Sequence, residues 1–240
     1  MEGSNKTLWD LIHDFFRERS AAFRQWAKIS PKGNSSHVEK LTFFTEKASN
    51  IDPLYVAASY GFVNIFQHAD SAKVDFNIKD SYRKTPLNWA AQSRRTRIVK
   101  FLLHRHDVDP TSVEINAADE YGRLPLHEAA QRGYTDVIRL LLASGDVVVN
   151  VQDDQGDTPL HEACWSGVKA VQALLERTDL EINLKGKMDM TALSFAISMS
   201  KEDIALLLLE RSNVDVNVQD KIGYIPLHEA IYHVKQKKST

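Results

Sequence analysis

The chain has 240 residues, 43% of them hydrophobic and 26% charged, and a formal net charge of −2. That balance is typical of a folded, water-soluble protein, and it gives no global attraction to nucleic acid or an anionic membrane. No apolar run approaches the ~20 residues that cross a bilayer. Met1-Glu2-Gly3-Ser4-Asn5 lacks the basic start and apolar core of a secretory signal, and a single cysteine, Cys164, cannot form an internal disulfide. The expected setting is a reducing intracellular compartment, cytoplasmic or nuclear.

In chain order, residues 1–48 form a separate N-terminal segment. Trp9, Leu11, Ile12, Phe15, Phe16, Ala22, Phe23 and Trp26 recur at helical spacing, which predicts an amphipathic helix over about residues 7–29. Ser30-Pro31-Lys32-Gly33-Asn34-Ser35-Ser36 is then a turn or loop, and Val38–Phe44 a short second helix. This segment either caps the remainder of the chain or binds a partner through its aromatic face.

Residues 49–240 are organised differently. Leu124-Pro125-Leu126-His127-Glu128-Ala129-Ala130 returns as Thr158-Pro159-Leu160-His161-Glu162-Ala163-Cys164 and as Ile225-Pro226-Leu227-His228-Glu229-Ala230-Ile231. Weaker copies begin at Asp52, Thr85 and Thr191. The shared leucine falls at Leu54, Leu87, Leu126, Leu160, Leu193 and Leu227, in steps of 33, 39, 34, 33 and 34, and five of the seven prolines occupy one slot. Each copy follows a turn such as Asp119-Glu120-Tyr121-Gly122 or Asp153-Asp154-Gln155-Gly156, where glycine takes positive φ. Threonine or its substitute caps the first helix and proline opens it. Gly133 and Gly167 are expected to end it in the left-handed region. A second helix follows, with apolar runs such as Val137–Leu142 and Ile204–Leu209, and the unit closes on Val149-Asn150-Val151-Gln152-Asp153 or Val216-Asn217-Val218-Gln219-Asp220.

The units are not identical. Arg83 and Arg94 stand where glycine is expected, so their turns should be strained. The fifth unit has Ala192 for proline and Ser194 for histidine, so it should be less rigid. Six extra residues near His106–Ser112 predict a longer surface loop. The last unit stops after its first helix: either the basic tail caps the array, or the chain belongs to a longer one.

Motif and pitch together resemble the ankyrin repeat, over roughly residues 50–240. The resemblance implies an all-α solenoid of stacked helix-turn-helix units with short β-hairpin-like turns, holding about five full units and one incomplete C-terminal unit. It implies a structural role for His127, His161 and His228, each bonding across its turn and to a neighbouring unit. The aromatic N-terminal helix also resembles that of fungal multi-domain ankyrin proteins, in which a nucleotide-binding signalling domain often lies upstream.

Chemistry offers little else. The His-Glu pairs lack the second histidine of a zinc-protease helix, and neither Gly-rich nucleotide motif occurs. No catalytic, cofactor or metal site is expected, and Cys164 falls in a small-residue slot of the core. Lys79, Arg83, Lys84, Arg94, Arg95, Arg97, Lys100 and Arg105, against Asp80 alone, make a basic stretch, either a solvated rim or a surface for an acidic partner or RNA.

The resemblance implies a monomeric scaffold or adaptor that is not an enzyme and binds another protein rather than nucleic acid or membrane. The alternative is a regulatory fragment of a larger nucleotide-dependent signalling protein. Ligands of such arrays meet the concave face of first helices and turn tips. Here that face is read as Trp89, Gln92, Glu128, Gln131, Arg132, Glu162 and Trp165, with Tyr82, Arg83, Tyr121, Arg123, Gln155 and Asp157 at the tips. Trp89, Tyr121, Arg123 and Trp165 are the expected anchors, being the residue types enriched at binding hot spots.

Overall fold

The computed structural model describes residues 53–71 and 74–237; the helices expected over residues 7–29 and 38–44 lie outside them. The described helices pair in chain order: α1 (Pro53–Tyr60) with α2 (Val63–Ser71), α3 (Pro86–Gln92) with α4 (Thr96–Val108), α5 (Pro125–Gln131) with α6 (Thr135–Ala143), α7 (Pro159–Ser166) with α8 (Val168–Leu175), and α9 (Ala192–Ser198) with α10 (Glu202–Leu209). The last, α11 (Pro226–Lys237), has no second helix among the described residues. We number the units 1 to 6 by these pairs.

Helices of seven to nine residues are too short to persist alone in water, so packing holds them. First helices stack on first helices and second on second, unit after unit. Alanines 57, 58, 90, 91, 129 and 130, with Ala163 and Cys164, are fully buried and let the first helices approach closely. One continuous apolar core runs from Leu54 to Leu208. This is an all-α solenoid.

The tips between units close as tight turns, and no strand is present among the described residues. In four of the five described tips one aspartate organises the loop. Asp119 Oδ1 accepts the amides of Tyr121 (2.9 Å) and Arg123 (3.0 Å), and Asp80, Asp153 and Asp220 do the same two and four residues on. Unit 5 has Gly186 in that place. A Cβ there would stand 2.5 Å from Asp157 Oδ1 and 2.8 Å from the His161 ring, so an aspartate has no room.

Three local expectations meet the coordinates. Arg83 (φ 58°) and Arg94 (φ 56°) do adopt the left-handed backbone their glycine slots demand. Replacing Arg83 with glycine should therefore stabilise the protein by about 0.5–1 kcal/mol, read as a higher denaturation midpoint; an unchanged or lower midpoint would contradict this. Gly167 differs from expectation, at φ 128° and ψ 174°. It ends α7 and starts α8 at once, and a one-residue connection leaves no room for a left-handed cap followed by a turn. The insertion near His106 also differs. Much of it lengthens α4 to 13 residues rather than forming a loop, because His106 is buried and fastens the helix end, its ring nitrogens meeting Val113 O (2.8 Å) and Asp146 Oδ2 (3.1 Å).

Unit 5 is the least regular. Met188 (φ 61°), Asp189 (φ 57°) and Ser200 (φ 55°) all sit in left-handed backbone without being glycine, and Ser194 bonds only locally, to Thr191.

Candidate protein-binding surface

The repeated histidines build the scaffold on which any surface must rest. The Leu124 amide donates to His127 Nδ1 (3.1 Å), so Nε2 carries the proton and donates to Asp157 O in the next unit (3.2 Å). His161 repeats this with the Thr158 amide (3.2 Å) and Met190 O (3.0 Å). Asn88 reproduces it in unit 2: its Oδ1 accepts the Thr85 amide, and its Nδ2 donates to Ala117 O (3.2 Å). Burial depresses the pKa of both buried imidazoles, keeping them neutral. Cys164 is fully buried, with its pKa pushed up to about 12; the thiol stays protonated and contacts Ala192 O (3.8 Å). Among the described residues no cluster of His, Cys, Asp or Glu could hold a metal ion, and no helix is long and apolar enough to cross a membrane.

An asparagine ladder, which the motif spacing did not bring out, also joins the units. Asn150 Nδ2 donates to Asp179 O (2.7 Å) while its Oδ1 accepts the Glu181 amide (2.9 Å). Asn77, Asn116 and Asn183 make the same pair of bonds to their following units. The signal was present in the sequence: Asn77, Asn116, Asn150, Asn183 and Asn217 share the pitch of the leucines.

The face read as a binding surface divides in two. Arg83, Tyr121, Gln131, Arg132, Gln155 and Trp165 are exposed, and Tyr82, Gln92, Arg123 and Asp157 are half-buried. Tyr121 is 56% and Trp165 50% exposed. The Tyr121 hydroxyl bonds to Glu120, which raises the phenol pKa. Trp89, Glu128 and Glu162 are not on the surface, at 6%, 2% and 6% exposure. This corrects their reading as exposed contacts, and the cause is a ladder of charges crossing from unit to unit. Lys84 Nζ lies 2.7 Å from Glu128 Oε1 and over the Trp89 ring, whose Nε1 donates to Asp80 (2.8 Å). Arg123, an expected anchor, donates instead to Glu162 Oε1 (2.7 Å). The motif glutamates are thus consumed by the cations that stand just before the preceding unit's helix cap.

Burial pushes the Glu162 carboxyl up to about 7, outweighing the pull of Arg123, while the charges of Asp153, Asp157 and Glu128 push the same way. A carboxyl whose folded pKa exceeds its unfolded one binds more protons when folded, so its contribution is largest at low pH and fades as pH rises from about 4.5 to about 7. The buried histidines act with the opposite sign, losing stability as pH falls through their unfolded range near 6.5. The stability difference between wild type and Glu162→Gln, which cancels the histidines, should fall across that window. A difference flat with pH would refute the assignment.

The comparisons agree with this architecture. The family model described as ankyrin repeats (3 copies) matches residues 27–114 and 108–185, and that described as ankyrin repeat matches residues 188–221. No curated protein matches the chain. Ankyrin repeats are generally protein–protein interaction modules, typically without enzymatic activity. With family matches over most of its length and a stack of paired short helices joined by histidine and asparagine bonds, the chain belongs to the ankyrin-repeat family.

Proposed function

We propose that the chain is an interaction scaffold or adaptor that binds a partner protein on its concave face, through the turn tips and the exposed ends of the first helices. The observation that carries this reading is the contrast within that face. Its cations Lys84 and Arg123 are already engaged by Glu128 and Glu162 within the array, whereas Tyr121 and Trp165 stand exposed on a framework pinned by inter-unit bonds. Rigid, exposed aromatics lose little conformational entropy on binding and are favoured as hot spots. Arg83, Gln131, Arg132 and Gln155 flank them, with Tyr82, Gln92 and Asp157 below.

The test is affinity capture from the native cell. Tyr121→Ala/Gln131→Ala/Arg132→Ala should lose its bound proteins at least about tenfold, while Lys100→Ala/Gln172→Ala on the second helices keeps them. Full recovery with the first variant, and loss with the second, would move the interface to the convex side.

A further inference from the structure

The cations of the inner face's charge ladder end at unit 3, and the next rung carries an acid in their place. The rungs start from the residue just before each first-helix cap: Lys84 before Thr85 and Arg123 before Leu124 are cations, whereas Asp157 before Thr158, Met190 before Thr191 and Tyr224 before Ile225 are not. Lys84 is held between an aromatic ring of its own unit, Trp89, and a carboxylate of the next, Glu128. Arg123 reaches Glu162 of the next unit. In register, the third rung is flanked by Glu162 in its own unit and Phe195 in the next. The Phe195 ring meets that of Trp165 edge-on at 5.3 Å. The third rung therefore repeats the ring and carboxylate that hold Lys84, in reversed order. Where a cation would stand it supplies an acid, Asp157, whose Oδ1 accepts the Lys187 amide (2.8 Å).

The surrounding charge is also unbalanced. Among the described residues, the buried acids Asp119, Glu128, Asp153 and Glu162 lie against two cations, Lys84 and Arg123, and Glu128 Oε2 has no hydrogen-bond partner. Glu120 and Asp154 add exposed negative charge at the neighbouring tips. A cation over an aromatic face is attracted by the ring quadrupole, and more strongly beside a desolvated carboxylate. Trp165 is half exposed, so this rung faces solvent.

We infer that the third rung is where the partner protein inserts a lysine or arginine side chain, its charge lying between the Trp165–Phe195 pair and the carboxylates of Asp157 and Glu162. This rests on the concave-face reading and adds the chemistry of the partner: a basic side chain presented to units 4 and 5. Glu162 is faced by Arg123, Glu128, Asp153 and Asp157, with neutral His161 preceding it on α7. An added cation pulls the Glu162 carboxyl below its resting value of about 7. Binding then releases a proton and tightens as pH rises through that value.

The experiment titrates the isotope-labelled full chain with acetyl-Gly-Gly-Arg-Gly-Gly-amide and its citrulline analogue. It follows the Trp165 indole N–H, assigned through Trp165→Phe. The arginine peptide should shift that signal saturably and bind at least about fivefold more tightly than the uncharged analogue. It should bind more tightly at about pH 8 than at about pH 6. Asp157→Asn, which keeps an acceptor for the Lys187 amide, and Phe195→Leu should each weaken it severalfold while the remaining spectrum reports an intact fold. Equal affinity for the citrulline peptide, or an indole signal that does not move, overturns the inference. Cellular partners lost by Tyr121→Ala/Gln131→Ala/Arg132→Ala but kept by Asp157→Asn/Phe195→Leu would leave the concave surface standing and remove this subsite alone.

Discussion

Replacing Lys84 with methionine should cost about 3–5 kcal/mol, the range for removing one partner of a buried ion pair. Lys84 is buried, 2.7 Å from Glu128 and 3.6 Å from Asp119, and both carboxylates are themselves buried. Without the ammonium, two negative charges are left in a poorly solvated seam with Glu128 Oε2 already unpartnered. The cost belongs to the stranded charge rather than to the pair, so Lys84→Met combined with Glu128→Leu should recover most of it. The exposed Lys79–Glu114 bridge, at 3.0 Å, gives the scale of an unburied pair; losing it should cost no more than about 1 kcal/mol. Denaturant unfolding of the three variants decides the matter. A Lys84→Met loss as small as that of the exposed pair would show that the carboxylates are relieved by some other means. Because the energy of a stacked array is a sum of unit and neighbour terms, hydrogen exchange should localise the loss to units 2 and 3.

Leu160→Ala should destabilise by about 2–5 kcal/mol, whereas Leu227→Ala should cost well under about 1 kcal/mol. The two leucines hold the same place in the same Pro-Leu-His-Glu-Ala motif. Leu160 is 2% exposed, closed in between α5 and α9; Leu227 is 61% exposed on α11. Truncating Leu160 leaves a cavity among packed helices, while truncating Leu227 trims a side chain already in water. Equal losses in thermal or denaturant unfolding would mean that the face of α11 is covered in solution. Val216, Leu209 and Ile231 are exposed alongside Leu227, although Val149, Leu175 and Cys164, their counterparts in unit 4 or at its border, are buried.

These pairs show where reading the chain stops. The architecture was legible because its determinants are contiguous: an aspartate turn, a cap, a proline and an alanine seam lie within about a dozen residues of one another, and their recurrence announces the stack. The asparagine ladder was equally open to view, since its spacing matches that of the leucines. Trp89, Glu128 and Glu162 were misplaced for a different reason. They share one slot on the first helix, and other side chains cover it: Lys84 and Asp80 for Trp89, Lys84 for Glu128, Arg123 for Glu162. Trp165 lies one helical turn beyond that slot and stays exposed.

The amino-acid order therefore made the repeat and the helix pairs legible through short-range backbone chemistry and periodicity, while the resemblance to the ankyrin repeat supplied the structural role of His127 and His161. Two things were left to the folded stack: which motif leucine is sealed and which glutamates are spent on neighbouring cations. Each depends on atoms about one pitch away along the chain. Burial and charge pairing are properties of the space between units, and a residue's position within its own unit does not specify what fills that space.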